Sequence, residues 1–474
     1  MESAEQGGAR EGSLEAPTRH PVEWQKPEFY DSAALEKELE RVFDICHGCR
    51  RCFSLCNSFP TLFDAIDESR SGELDTVDRK VFRDVIDNCY LCDMCFMTKC
   101  PYVPPHPWNI DFPHLMLRAK AVHARNEGLT LRDRVLSSTD TVGAIAGIPV
   151  VVEMVNAANR AAGPRKLLEK TLGVHHEAPV PVYHANTARK RLSKLASRAA
   201  APNAAAAAAS AAAAAPAAGS TAASAAAAVG TAASGKVALF LTCYGNRNEP
   251  DLDVDLAAVF DHNGIEWRLL ASEKCCGMPK LELGDLEAVD RLKRHNIPQL
   301  KAVIEQGYDV VAPIPSCVLM FKQELPLLFP DDPDVQLVRA HMFDPFEYLM
   351  LRHRAGLLRT DFKGTLGKVS YHVPCHLRVQ NIGLKTRDLL RLVPDTKVDV
   401  IERCSGHNST YAVKAEFRAA SLKIGRPVVS RVESAAPDHY TSDCPMAGHQ
   451  IESALMSPAP PVHPLTLLRR AYGI

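Results

Sequence analysis

The sequence carries no useful excess of charge. Its 55 Lys and Arg stand against 56 Asp and Glu, for a formal net charge of -1. It has no basic stripe interleaved with aromatics, so there is no electrostatic case for nucleic acid. No apolar run reaches the length of a membrane span; the most apolar stretch, Val142 to Val152, is short and is followed at once by Glu153. There is no G-x-G-x-x-G after a strand and no phosphate loop, so no flavin or nucleotide site is expected in this chain. The opening residues, MESAEQGGAREGSLE, lack the positive start and apolar core of a signal peptide. The chain is therefore expected in the cytoplasm, with at most peripheral contact at the cytoplasmic side of a membrane.

What the sequence has instead is cysteine, fifteen in 474 residues. In a large cytoplasmic chain, where structural thiols stay reduced, that number argues for metal clusters. Eight fall between Cys46 and Pro101, as CHGCRRCFSLC and CYLCDMCFMTKCP. A C-x2-C-x2-C run closed by a fourth cysteine, occurring twice, is the ligand pattern of a two-cluster ferredoxin, in which the fourth cysteine of each run crosses to the other cluster. The pattern assigns Cys46, Cys49, Cys52 and Cys100 to one [4Fe-4S] cluster, and Cys89, Cys92, Cys95 and Cys56 to a second. Three cysteines two residues apart reach three corners of a cubane from one tight loop, and the fourth must come from elsewhere. Pro101 bends the chain away after Cys100; after Cys56 comes Asn57, and the second run closes with four intervening residues rather than three. Structural zinc uses paired rather than tripled cysteines, and disulfides need an oxidising compartment.

Along the chain, residues 1–35 read as a polar arm, with HPVEWQKPEFYD as an extended strap. Leu35, Leu39, Val42 and Phe43 recur at helical spacing from Ser32 to Ile45 and deliver a helix into the first cysteine loop. Phe63, Ile66, Val81, Phe82, Val85 and Ile86 suggest helices between the two runs, giving an all-helical cluster domain over residues 36–126. PYVPPHPWNIDFPH is expected to be extended. Leu115 to Glu127 reads as a basic helix with Arg118, Lys120 and Arg125 on a solvated face. Residues 127–198 are expected to be a helical bridge; its basic part, Arg160 to Arg198, reads as a helix packed on the cluster domain in preference to one lying on a membrane surface. Residues 199–235 form an alanine-rich low-complexity linker.

From Lys236 a duplicated domain begins, its halves spanning 236–357 and 358–474. VALFLTC, WRLLASEKCC and DVVAPIPSC in the first half, and KVSYHVPC, VDVIERC and HYTSDC in the second, are strand-like runs that end in cysteine. Helical segments separate them, which implies right-handed βαβ units and parallel sheets with ligands at the carboxyl ends of the strands. Six cysteine-bearing strand ends would face one crevice. The expected fold is thus an all-helical two-cluster ferredoxin domain followed by a duplicated α/β domain with parallel strands.

Cys243, then Cys275-Cys276-Gly277, then Cys317, and again Cys375, Cys404 and Cys444, resemble the cysteine-rich CCG module. Two ferredoxin-type runs followed by two such modules resemble iron-sulfur CCG-domain oxidoreductase subunits: the subunit designated C of anaerobic glycerol-3-phosphate dehydrogenase, the iron-sulfur subunit of glycolate oxidase, and subunits of heterodisulfide reductase. HPLTLLRRAYG, YHVPCH and TYAVK are most similar to the first of these. In that family the modules hold further iron-sulfur clusters. A full module ends in C-x-x-C, and this chain departs from it: Met320 stands for the last cysteine of the first module, and Ser405 and Ala447 replace two in the second. The resemblance implies that Cys243, Cys275, Cys276 and Cys317 hold one cluster. For Cys375, Cys404 and Cys444 three readings stand: a cluster completed by a histidine (His376, His407 or His449, with His407 foremost) or left open for substrate, a scaffold without a cluster, or a mononuclear metal. The resemblance further implies electron transfer between a flavin-containing dehydrogenase or other redox partner and a quinone or protein acceptor. The alternative it raises is a catalytic subunit, like heterodisulfide reductase, that reduces a disulfide or related acceptor at the module cluster.

Overall fold

A computed structural model describes residues 17–98, 100–200, 233–456 and 460–474. The start of the arm and nearly all of the alanine-rich linker lie outside the described residues. The first half of the chain contains only helices among those residues. Helix α1 (Ser32–Cys49) buries Leu35, Leu39, Val42 and Phe43, and Asp31 caps it by accepting from Ala34 N at 2.8 Å. It runs one turn past Ile45, so Cys46 and Cys49 stand on the helix itself, and Arg50 ends it in the left-handed conformation. Helices α2 (Ser58–Asp67) and α3 (Lys80–Asn88) follow at the expected apolar residues, then α4 (Met94–Thr98) and α5 (Phe112–Glu127).

Three expectations for this half need correction. The segment after Cys100 is not extended: it folds into successive turns, with Ile110 N donating to Tyr102 O at 2.9 Å, because Tyr102, His106 and Trp108 pack their rings on one another. The basic residues of α5 form a solvated face only in part: Arg125 is exposed and lies over the Tyr30 ring, while half-buried Arg118 donates to Phe29 O at 2.7 Å and half-buried Lys120 donates to the carbonyls of Cys89 and Glu282. The arm is a strap, with a 3-10 turn at Pro27–Tyr30, and it crosses to the second half of the chain: Val22 N donates to Leu327 O at 2.8 Å, and Trp24 Nε1 to Leu328 O at 3.1 Å.

The bridge comprises α6 (Leu131–Ser137), α7 (Thr139–Ala146), α8 (Val151–Arg160), α9 (Ala162–Leu172) and α10 (Ala188–Ala200). Helix α10 packs on the first CCG-like half rather than on the cluster domain. Its Leu192 is fully buried, Arg189 pairs with Glu273, and Arg191 pairs with Asp251 at 2.5 Å. No single helix among the described residues is long and apolar enough to cross a membrane.

The second half holds two parallel sheets. The first has strand order β2-β1-β3-β4, from β1 (Lys236–Leu239), β2 (Glu266–Leu269), β3 (Asp309–Val311) and β4 (Met342–Phe343). The second has order β6-β5-β7, from β5 (Gly367–His372), β6 (Thr396–Ile401) and β7 (His439–Ser442). All pairings are parallel. The six expected strands are present; β4, two residues long and without a cysteine, was not expected. Sheet one is apolar on both faces, as Val237, Leu239, Val310 and Val311 show, because helices cover it on each side. One continuous core joins this sheet to α1–α5.

Candidate metal centres

The first quartet is assembled at the end of α1. Cys46 sits among Cys49, Cys52 and Cys100, and its thiol is pushed well up, first by burial and then by those three neighbours. Cys100 returns to the site because its N–H donates to Cys95 O at 2.9 Å. In the second quartet Cys56 lies beside Cys89. Burial, then Cys89, push its thiol up to about 12, against backbone N–H groups of Ser58 and Phe59 at the start of α2 that favour the thiolate. Cys95 senses Cys52, Cys89 and Cys56, so the two quartets adjoin. Leu91 and Asp93, at φ 51° and 61°, wind the CYLCDMC loop through left-handed backbone that costs a non-glycine residue roughly 1–2 kcal/mol. Arg19 of the arm holds that loop: buried, it pairs with Asp93 at 2.6 Å, Asp111 at 3.0 Å and Glu324 of the second half at 3.6 Å.

The carboxyl ends of the strands meet at a cavity of about 80 Å³ lined by Cys243, Cys275, Cys276, Cys317, Cys375, Cys404 and Cys444. Cys243 begins a helix after β1, capped by Thr242; Cys375 begins one after β5; Cys444 precedes one after β7. The thiols of the first module form a row, Cys243–Cys275–Cys276–Cys317, each beside the next. Bonds from Cys243 and Cys276 hold Cys275 well below the usual thiol range. Gly277 turns the chain after this pair at φ 104°, and a Cβ there would stand 3.4 Å from Cε of Met320. The residue that replaces the last cysteine thus packs directly beneath the CCG turn, fully buried.

In the second module Cys375 contacts Cys404 on one side and Cys92 of the ferredoxin-type run on the other. Tyr90 Oη lies 3.4 Å from Cys404 Sγ, and Gly406 N donates to the same sulfur at 3.3 Å. Cys92 receives a hydrogen bond from Cys375, yet burial and the neighbouring Cys404, Cys56 and Cys95 push it up to about 12. Cys444 is raised to about 11 by burial, and Cys317 of the first module is among the sulfurs it senses. The histidines separate clearly. His449 is engaged on both ring nitrogens, by Glu249 at 2.7 Å and Glu452 at 3.0 Å. His376 Nδ1 is taken by Ser316 at 2.8 Å, while its Nε2 has no partner. His407 has no partner at either nitrogen, and burial, then the charges of His449 and His376, lower it to about 4.

The sequence did not single out Tyr90, Lys120, Thr139, Asp140 or Glu282 as residues of these centres. Asp140 at the start of α7 accepts from Cys275 N at 2.7 Å, and the buried Thr139 hydroxyl lies beside the Cys243 and Cys275 thiols, so the bridge closes over the first module. Burial raises Glu282, on the cavity wall, to about 7 against a hydrogen bond from Ser409. Only the helical start S-T-D at residues 138–140 carries a local sign of such a role, and that sign is equally an ordinary helix cap.

The donor set fits iron-sulfur clusters. Burial and mutual repulsion oppose ionisation of Cys46, Cys56, Cys92 and Cys95, and a centre carrying positive charge removes both objections at once. No three cysteine sulfurs among the described residues lie within 4.8 Å of one another. A single tetrahedral zinc holds its sulfurs roughly 4 Å apart, whereas four irons spread their ligands wider.

Paired parallel α/β modules that present thiols to one shared cavity, beside a helical segment with two cysteine quartets, define a cysteine-rich protein of the metal-cluster class. The cysteine-rich domain model named CCG matches twice, over residues 237–322 and 369–452. The chain is 27% identical over 369 residues to the subunit designated C of anaerobic glycerol-3-phosphate dehydrogenase from Escherichia coli, covering 77% of this chain and 83% of that protein. It is 30% identical to lactate utilization protein A of Bacillus pumilus, over 44% of this chain and 87% of the relative. To the subunit designated B of the fumarate reductase (CoM/CoB) from Methanothermobacter marburgensis it is 24% identical, over 46% and 42%. The chain belongs to the CCG cysteine-rich domain family, with two copies of the domain, and is homologous to these three proteins.

Proposed function

We propose that this chain is an iron-sulfur electron-transfer subunit of a redox complex, passing electrons between a flavin-containing dehydrogenase or other redox partner and a quinone or protein acceptor. The observation that carries this reading is the contiguity of the sulfurs. The quartet Cys46, Cys49, Cys52 and Cys100 adjoins Cys56, Cys89, Cys92 and Cys95 through Cys52 and Cys95; Cys92 touches Cys375; and Cys375 lines the same cavity as Cys243, Cys275, Cys276 and Cys317. Bound at these sets, [4Fe-4S] clusters supply one-electron steps that divide the pair of electrons delivered by a flavin. The protein's part is spacing, burial and hydrogen bonding. Backbone N–H groups favour the Cys56 thiolate, Gly406 N–H and Tyr90 Oη serve Cys404, and Lys120 sets a positive charge beside Cys89; each such contact shifts a bound cluster toward its reduced form.

In this reading residues 36–126 form the two-cluster domain, 127–198 bridge it to the modules, and 236–357 and 358–474 are the modules. His407 completes the set Cys375, Cys404 and Cys444, since an imidazole with no partner at either buried nitrogen is available as a ligand.

The test is iron and acid-labile sulfide per chain after anaerobic purification, with low-temperature electron paramagnetic resonance during a redox titration. About sixteen irons are expected for four [4Fe-4S] clusters, falling to about twelve in Cys404→Ala. About twelve in both proteins leaves the second module an empty scaffold within a plain electron-transfer subunit. An additional signal that responds to a disulfide moves the activity to the catalytic alternative. A zinc-loaded protein without labile sulfide ends the electron-transfer reading.

A further inference from the structure

A second and much larger cavity lies between the bridge and the two modules. It encloses about 610 Å³, within the usual range for a small organic ligand. Its walls are largely apolar: Leu136 and Val142 from the first bridge helices, Val180 and Val182 from the segment before α10, and Val413 and Met446 from the second module. Cys243, Tyr244, His407 and Met446 line this cavity and the cysteine cavity alike, so the two share a wall.

The polar groups around it narrow the ligand class. Tyr183 and Tyr244 line the cavity, and His407 lacks a partner at both of its buried nitrogens. A buried ring N–H without an acceptor is a costly arrangement that a ligand with acceptor oxygens relieves, and the two tyrosines add hydroxyl donors to the same wall. The opposite polar feature is closed. Glu249 and Glu452 both bind His449, at 2.7 and 3.0 Å; burial works against the charge on His449, but these two bonds raise it to about 9. That group of one cation and two anions carries a net negative charge, which disfavours a carboxylate or phosphate ligand, and it leaves no free carboxylate for a cation. The ligand is neutral, mostly apolar, and an acceptor of hydrogen bonds. It also lies against Cys243, at the edge of the cluster-bearing cavity.

We propose that this cavity binds a quinone, a planar apolar ring whose carbonyl oxygens accept from the Tyr183 and Tyr244 hydroxyls and from the His407 ring N–H, the other ring nitrogen being the one that completes the second-module set. The proposal rests on the electron-transfer reading for its choice of a redox-active ring, and it deepens that reading by placing the acceptor between bridge and modules.

The test is binding. Menadione is titrated into the anaerobically purified full chain by equilibrium dialysis, with iron measured on the same samples. One saturable site is expected. Val142→Trp, which fills the cavity, should weaken binding more than tenfold, and the isosteric Tyr244→Phe roughly fivefold, about one lost hydrogen bond, both at unchanged iron content. No saturable binding to iron-replete protein overturns the proposal, as does equal affinity in both variants or tighter binding of palmitate than of menadione. Failure of the electron-transfer reading shows separately, as missing iron in the unmodified chain.

Discussion

Gly425→Ala tests the second module through the sign of its effect. Gly425 lies inside the helix Arg418–Ala435, where exchange to alanine ordinarily stabilises by about 1 kcal/mol. Here a Cβ would stand 2.5 Å from the carbonyl oxygen of Ser405 and 3.2 Å from its carbon. Reaching ordinary carbon–oxygen contact requires a retreat of about 0.8 Å by the Cys404–Gly406 loop. That loop has little room, since Gly406 stands at φ 75° with its own Cβ position 2.0 Å from Ser421 O, and Ser421 Oγ donates to Gly406 O at 2.7 Å. Backbone-on-backbone overpacking of this kind costs about 3 kcal/mol, which leaves a net loss of about 2 kcal/mol after the helical gain. Moving the loop also draws Cys404 from Tyr90 Oη and Cys375; with a cluster at the second module, as proposed above, its iron should be lost first. Urea denaturation with iron analysis across the transition is the assay. A variant as stable as the unmodified chain, or more so, refutes the claim that helix and cysteine loop meet glycine to loop.

Two further substitutions probe how the halves are joined. Gly284, at φ 75°, has its Cβ position 2.4 Å from Ala121 N and 2.5 Å from Lys120 C in α5. Gly284→Ala should cost at least about 3 kcal/mol in chemical denaturation, while Gly307→Ala, at φ 83° with nothing within 4 Å, should cost only the backbone strain of about 1–2 kcal/mol; equal losses would deny the contact between α5 and the first module. Arg19→Met leaves Asp93, Asp111 and Glu324 without their buried cation and should cost about 3–5 kcal/mol at pH 7. Burial works against ionisation of Asp111 and Glu324, yet Arg19 and His114 hold both below the usual carboxylate range. The stability they contribute is present above their unfolded values and is lost as pH falls through the folded ones. The gap between Arg19→Met and the unmodified chain, followed by denaturation at pH 7 and at about pH 3, should therefore narrow in acid; a gap that stays constant would separate Arg19 from these carboxylates.

How far the sequence was legible depended on range. Ligand spacing is local, so the two cysteine runs could be read directly, and the six strand-plus-cysteine runs followed from the rule that parallel strands open at their carboxyl ends. The helix α1 was legible up to Ile45, but its last turn was not, because the run CHGC offers no apolar residue to mark it. Lys120 read as solvated because periodicity places it on a helix face without saying what else covers that face; Glu282, 162 residues later, does so. No pattern announces Cys92 against Cys375, and none shows that Val142 and Val182 enclose a cavity with the second module.

The substituted cysteines gain meaning only in three dimensions. Met320 packs under Gly277 in the interior, and the first module keeps its row of four sulfurs without needing a fifth. Ser405 and Ala447 are both buried, and both lie on the wall of the cysteine cavity. The second module, short of sulfur, instead holds Cys375 and Cys404 against Cys92 and Tyr90, and holds the unpaired His407 between its sulfurs and the larger cavity. The two modules therefore occupy unequal places. The first presents a complete thiol set beneath the bridge, and the second is the point at which the helical half, the cysteine cavity and the large apolar cavity all meet.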